Sequence, residues 1–185
     1  MRMIARLVAL GSVVGGAACG HAPAGDPGAP NREVVLSFDD NRPSAQLSFA
    51  NLTYESLIRY ELPPGKHTPL RLRALVATAG TLQVTLYANS LLESPADPIH
   101  TLTWNLTDSD VSSGKDGLWL VSDLHALGPM EGVIWVGLRK VGGEPTVWTS
   151  TAVSGQTFLR DRSPGNGMGI LPVKRTPLVR LEVSP

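Results

Sequence analysis

The chain is poor in the features that usually announce a function. It has one cysteine, Cys19, in 185 residues, so no intramolecular disulfide can form. At this length a core can bury roughly 70% of the unfolded surface, and neither disulfides nor a structural metal is required for folding. It also lacks an excess of either charge: sixteen basic and sixteen acidic side chains give a formal net charge of +0. Nucleic acid is therefore not an expected partner, because phosphate binding draws on a basic surplus. Aromatics are sparse at 5%, and charged residues at 17% fall below the usual share of about 25%. What is plentiful is glycine, with nineteen, and proline, with fifteen, a composition of turns and short strands rather than long helices.

The first twenty residues, MRMIARLVALGSVVGGAACG, carry Arg2 and Arg6 ahead of a short apolar stretch and then small residues. This is the order of an export signal. The apolar run is about eight residues, well short of the ~20 a helix needs to cross the hydrocarbon core. The small-residue box Gly16-Ala17-Ala18-Cys19 resembles the signal peptide of bacterial lipoproteins. That resemblance implies cleavage before Cys19, acylation of Cys19 and a membrane anchor made of lipid. Gly20 follows the cysteine where an aspartate would retain such a protein at the inner membrane, so the resemblance implies the outer membrane. A second cleavage site, Ala22-Pro23-Ala24, would instead discard Cys19. With Arg2 and Arg6 removed by either route, the exported chain turns slightly acidic. The expected organisation is a signal peptide over 1–18, a lipidated Cys19 with a Pro/Gly/Ala-rich tether over 19–31, and one domain over 32–185.

Beyond the tether, apolar runs recur at the spacing of an antiparallel sandwich or barrel. Strands are expected over 33–38, 46–52, 57–62, 70–77, 81–88, 99–106, 118–121, 133–140, 146–151 and 178–183. Alternation assigns their faces. Leu70, Leu72, Ala74 and Val76 oppose Arg71 and Arg73; Leu82, Val84 and Leu86 oppose Gln83, Thr85 and Tyr87; Val179, Leu181 and Val183 oppose Arg180 and Glu182. One buried face per strand excludes a doubly wound parallel sheet. The fold class is therefore all-β, an antiparallel two-sheet β-sandwich. Helix is expected only as one turn over 122–127, capped by Ser122 or Asp123. The stretches YESLIRYELPPGKHTPLRLRALV and VSDLHALGPMEGVIWVGLRK resemble parts of galactose-binding-like jelly rolls, which implies a jelly-roll arrangement and says little about ligand.

Sugar recognition uses planar aromatic faces and polar groups that fix hydroxyls. Of the four tryptophans, Trp104 shares parity with Leu102 and Leu106 and belongs to the core, while Trp119 and Trp148 have ambiguous parity. Trp135 falls opposite Ile134, Val136 and Leu138, beside Gly137 and Arg139. It is either a ligand platform on the outer face or a side chain covered by neighbours. Arg160, Asp161 and Arg162 precede a glycine-rich loop, SPGNGMG. They either clamp a polar or anionic glycan or form a local ion pair in a connection. Two oxygen-rich groups, Asp108-Ser109-Asp110 with Ser112 and Asp116, and Asp39-Asp40-Asn41, have the ligand chemistry calcium prefers. The first departs from the EF-hand pattern, and turn chemistry explains both equally well, so no metal or cofactor is assigned. Arg59, Arg71 and Arg73, with Glu61, are expected on the outer face of consecutive strands, as an anionic-polymer patch or a solvated face. Asn51 and Asn105 stand in glycosylation sequons matched by chance. His67, His100 and His125 are isolated and no catalytic motif is present, so no enzymatic activity is expected.

The resulting expectation is a cell-envelope lipoprotein with a non-catalytic binding or structural module. Its partner would be the membrane through Cys19, and polysaccharide or another envelope protein through the domain.

Overall fold

The computed structural model describes residues 33–88, 95, 97–112, 117–152, 155–164 and 169–185. The signal segment, Cys19, the tether, Asp116 and the centre of the glycine loop lie outside the described residues.

Strand alternation produces the expected sandwich. The larger sheet has seven strands. Its main path is β1 (Val34–Leu36), β13 (Val179–Val183), β4 (Pro69–Val76), β9 (Thr146–Ser150) and β12 (Thr176–Pro177), with β2 (Pro43–Ser48) on β9 and β7 (Leu118–Asp123) on β4. The smaller sheet has six, in the order β11 (Ile170–Pro172), β10 (Thr157–Asp161), β3 (Tyr54–Glu61), β8 (Val133–Gly143), β5 (Gly80–Ala88) and β6 (Pro98–Leu106). All the strand pairs are antiparallel. Because β3, β4 and β5 alternate between the sheets, as do β6 to β10, the two layers are interwoven by the chain itself.

The inner faces meet in one core. Leu72, Ala74 and Val76 of β4 and Val179, Leu181 and Val183 of β13 pack toward Ile58 and Tyr60 of β3, Leu82, Val84 and Leu86 of β5, and Ile134, Val136 and Leu138 of β8. These are the parities that alternation assigns, and Trp104 packs against the same core. Hydrogen bonds also cross from sheet to sheet. The Tyr60 hydroxyl donates to the Val179 carbonyl at 2.7 Å in a buried setting, and Trp104 Nε1 donates to Ser122 Oγ at 2.8 Å. Burial holds the Tyr60 phenol well above its usual pKa, and nearby Asp39 adds to the effect.

The ten expected strands are present, with shifted ends, and three more join them. β10 escapes the pattern because TFLRD places Phe158 and Leu159 on opposite faces and ends in charge; β11 and β12 are too short to show a period. β2 ends earlier than expected because Asn51 Oδ1 accepts from Thr53 N–H at 2.9 Å and Tyr54 N–H at 3.0 Å, an Asx turn that starts β3. The sequon asparagine is thus a turn former.

The expected helical turn over 122–127 is corrected. The Leu124 N–H still pairs with the Leu70 carbonyl, and Asp123 Oδ1 accepts from His125 N–H at 2.8 Å, so the backbone stays with the sheet before turning. The short helix is instead α1 (Asp108–Ser112), on one of the candidate calcium loops. Thr107 caps it: Asp110 N–H donates weakly to Thr107 Oγ1 at 3.4 Å, while Thr107 N–H donates to Asp110 Oδ2 at 2.8 Å. The Thr107 hydroxyl and N–H together hold the Asp110 carboxyl below its usual pKa.

Tyr60→Phe is expected to cost about 1–3 kcal/mol, because it leaves the buried Val179 carbonyl without its partner. Tyr60 also adds a pH dependence. Its pKa is raised on folding, so its contribution is complete below pH 10.0, the ordinary tyrosine value, and is lost progressively as pH rises beyond it. Urea unfolding at neutral pH and above pH 10 should show the loss in the variant and a shallower alkaline decline than in the wild type.

Candidate functional site

Trp135 lies on the outer face of the smaller sheet, as its parity requires, but it is completely buried. It joins Leu57, Tyr87 and Val133 in a second apolar cluster, with Phe158 and Ile170 packed against it. The rings of Trp135 and Phe158 are tilted by 55° at a centroid distance of 5.3 Å. Of the two readings, the covered side chain is the one the structure adopts, and Trp135 offers no open platform.

Arg160 belongs to the same interior. It stands opposite Glu55 in the β10–β3 register and binds the Glu55 carboxylate through both Nε, at 3.0 Å, and Nη2. The same Nη2 lies 2.7 Å from the Tyr87 hydroxyl, which donates to Glu55 Oε1 at 2.7 Å. Burial, then Glu55, raises the Tyr87 pKa. Side-chain exposure of the pair is 6% and 1%, so this is an interior ion pair and not a clamp for an incoming glycan. Gly137 makes room for it: a Cβ there would sit 2.1 Å from Glu55 Oε1. Arg160 and Asp161 end β10, so the two belong to a strand and not to a solvated connection. Asp161 Oδ1 accepts from Ser163 N–H at 2.9 Å and Oγ at 2.7 Å. Arg162 is the exposed member of the triplet, at 40%, and lies 3.8 Å from Glu55.

The other charged candidates are similarly occupied. Arg59 is on the smaller sheet and Arg71 and Arg73 are on the larger, so the expected single patch is divided between opposite faces of the molecule. Arg59 pairs with Glu61 at 2.6 Å. Glu182 lies between Arg73, at 2.6 Å, and Arg71, at 3.4 Å, and Arg71 also reaches Glu33 at 3.0 Å. Asp39 receives two bonds from Arg180, whose guanidinium lies 4.7 Å above the Trp119 ring. Asp40 accepts from Ser150 Oγ at 2.7 Å, and this bond is the main reason its pKa is lowered. Trp148 abuts Gly117 so closely that a Cβ on the glycine would lie 2.6 Å from Nε1. His67 Nδ1 lies 2.6 Å from the Ser184 carbonyl and His125 Nδ1 lies 2.5 Å from Asp123. Among the described residues no group of three or more His, Cys, Asp or Glu could hold a metal ion.

Concavity lies elsewhere, in a part of the chain that no motif marked. A cleft of about 420 Å³ opens between the sheets, bounded by β2 and the turn after it, the start of β3, β10, and residues 173–175. Its volume is within the roughly 300–1,000 Å³ range of small-ligand sites. Leu47, Phe49, Tyr54, Leu159 and Val173 give it an apolar lining. The cleft exists because Ser56 occupies the inner-face position where neighbouring Ile58 and Tyr60 fill the core, with Leu159 as its cross-strand partner. The Ser56 hydroxyl is buried and has no hydrogen-bond partner. Lys174 and Arg175 border the opening; both are exposed, and neither has an ion-pair partner among the described residues.

No protein-family profile matches the chain. A tail fiber protein of Enterococcus phage phiEF24C is 36% identical over 59 residues, which is 30% of this chain and 3% of that protein.

Arg160→Met is expected to destabilise the domain by about 3–5 kcal/mol, because Glu55 would keep a buried charge without its partner. Adding Glu55→Leu should recover most of the loss, since an apolar pair of similar volume removes the unpaired charge. Chemical denaturation of the wild type and the two variants measures both effects.

Proposed function

We propose that the chain is a cell-envelope lipoprotein, acylated at Cys19, that carries a non-catalytic binding module, and that its ligand enters the cleft between the sheets. The single observation that carries the binding reading is this cleft: an apolar lining, an unpartnered Ser56 hydroxyl in its wall, and Lys174 and Arg175 at the opening. An apolar chain gains from leaving water, and an acidic head gains from two cations that have no competing carboxylate among the described residues. The ligand class that fits is a long-chain carboxylate or a lipid with an anionic head. Polysaccharide is less well served, because Trp135 and Arg160 are interior residues and Trp119 is covered by Arg180. The anchor reading rests on the Cys19 box and on the tether that follows it. The tail fiber match is local and supports no more than a segment shared with a much larger protein.

Isothermal titration with dodecanoate tests the ligand. Binding is expected, with dodecanol weaker by about tenfold or more for want of the charged head. Ala50→Trp at the exposed rim should block the cleft, and Lys174→Ala/Arg175→Ala should remove the preference for dodecanoate over dodecanol. Failure of dodecanoate to bind, or binding unchanged by Ala50→Trp, would overturn the assignment. Intact-mass measurement of the membrane-extracted protein tests the anchor independently. An acylated N-terminus at Cys19 is expected, whereas an unmodified chain beginning at Gly25 would refute it.

A further inference from the structure

A hydroxyl buried among apolar side chains calls for a partner, because leaving the bond unmade costs more than making it returns. Ser56 is 2% exposed, and its Oγ has no hydrogen-bond partner among the described residues. Alternation turns it toward the interior, as it does Ile58 and Tyr60. Yet Ser56 is not sealed in, since it lines the wall of the cleft beside Leu47, Phe49 and Leu159. Its diagonal neighbour on the same face, Thr157, has a second buried hydroxyl without a partner among the described residues, but Thr157 does not border the cleft. Ser56 is therefore the hydroxyl that a ligand can reach.

The lining around Ser56 is apolar, and the cations Lys174 and Arg175 are at the opening. Ser56 on β3 and the end of β11, which leads into Lys174, are two strand spacings apart across β10, or about 10 Å. A carboxylate held by the two cations is then several carbons from whatever group meets Ser56. A wholly apolar chain that fills the cleft displaces water from Oγ and puts nothing in its place, which weakens binding by about tenfold or more.

We infer that Ser56 sets the specificity of the cleft, and that the ligand is a hydroxylated acyl chain, with a carboxylate at one end and, several carbons away, a hydroxyl that bonds to Ser56 Oγ. This rests on the reading of the cleft as a site for long-chain carboxylates, and narrows it. A hydroxyl suits Ser56 because each of the two both donates and accepts. A hydroxyl next to the carboxylate does not serve, since it stays with the cations at the opening. Charge fixes the head and one polar contact fixes the chain, so the position of the ligand hydroxyl is selected as well as its presence.

Isothermal titration of the full chain with dodecanoate and with 2-, 8-, 10- and 12-hydroxydodecanoate tests this. At least one of the three distal hydroxy acids is expected to bind about tenfold or more tighter than dodecanoate, and 2-hydroxydodecanoate no tighter. Ser56→Ala should abolish the preference for the distal hydroxyl while binding dodecanoate at least as well as the wild type does, since its methyl needs no partner. Without ligand the variant should unfold at or above the wild-type temperature, because no hydrogen bond is lost. A fall of several degrees would show that the fold itself uses the hydroxyl, and overturns the inference. A distal preference that survives Ser56→Ala, or dodecanoate bound as tightly as every hydroxy acid, overturns it and leaves the cleft reading in place. If none of the five acids binds, both fall.

Discussion

The buried pair between Arg160 and Glu55 fixes more than its own corner of the molecule. It fastens β10 to β3, and β10 in turn carries Phe158 over Trp135 on one face and Leu159 beside the cleft on the other. A strand that was merely hydrogen-bonded at the margin of the sheet would leave both placements loose. The pair is possible only because three neighbours accommodate it. Tyr87 donates to the carboxylate, Gly137 leaves the space a side chain would fill, and the surrounding apolar cluster excludes the water that would otherwise weaken the attraction. The inter-sheet opening is thus held in shape from the far side of the sheet.

This arrangement also explains which parts of the structure were legible from residue order. The main core was, because alternation reports faithfully on strands with one buried face, and Leu72, Val84 and Leu181 lie where their parity puts them. Trp135 was legible only in part. Parity states which face a side chain occupies, and it did so correctly; whether that face is then covered depends on Phe158 and Ile170, which come from strands the pattern did not reveal. Arg160 falls outside the expected strands because charge beside a glycine-rich run usually marks a solvated connection. The opposing Glu55 is over a hundred residues away, and no local signal connects them.

A similar limit applies to the cationic residues and to the cleft. Arg59 and Arg71 are close in sequence on successive strands, yet the chain changes sheet between them, so their separation is a matter of topology. The cleft rests on an absence of bulk at Ser56, within a strand that otherwise reads as ordinary core, and a small polar residue in a β-strand carries no distinctive pattern. The capping pair Thr107 and Asp110 had a recognisable spacing, but its oxygen atoms suit a metal loop just as well until the backbone is seen to coil.

β1 and β13 are the first and last strands of the fold, and they lie side by side, with β13 also pairing to β4. A chain that emerges N-terminus first from the ribosome cannot complete this sheet until β13 arrives. Leu72 and Ala74 lack their neighbours Leu181 and Val179 until then. Closure of long loops is paid for before the contacts that reward it, so such an order delays folding. The larger sheet therefore stays open until β13 is in place, and that strand acts as its clasp.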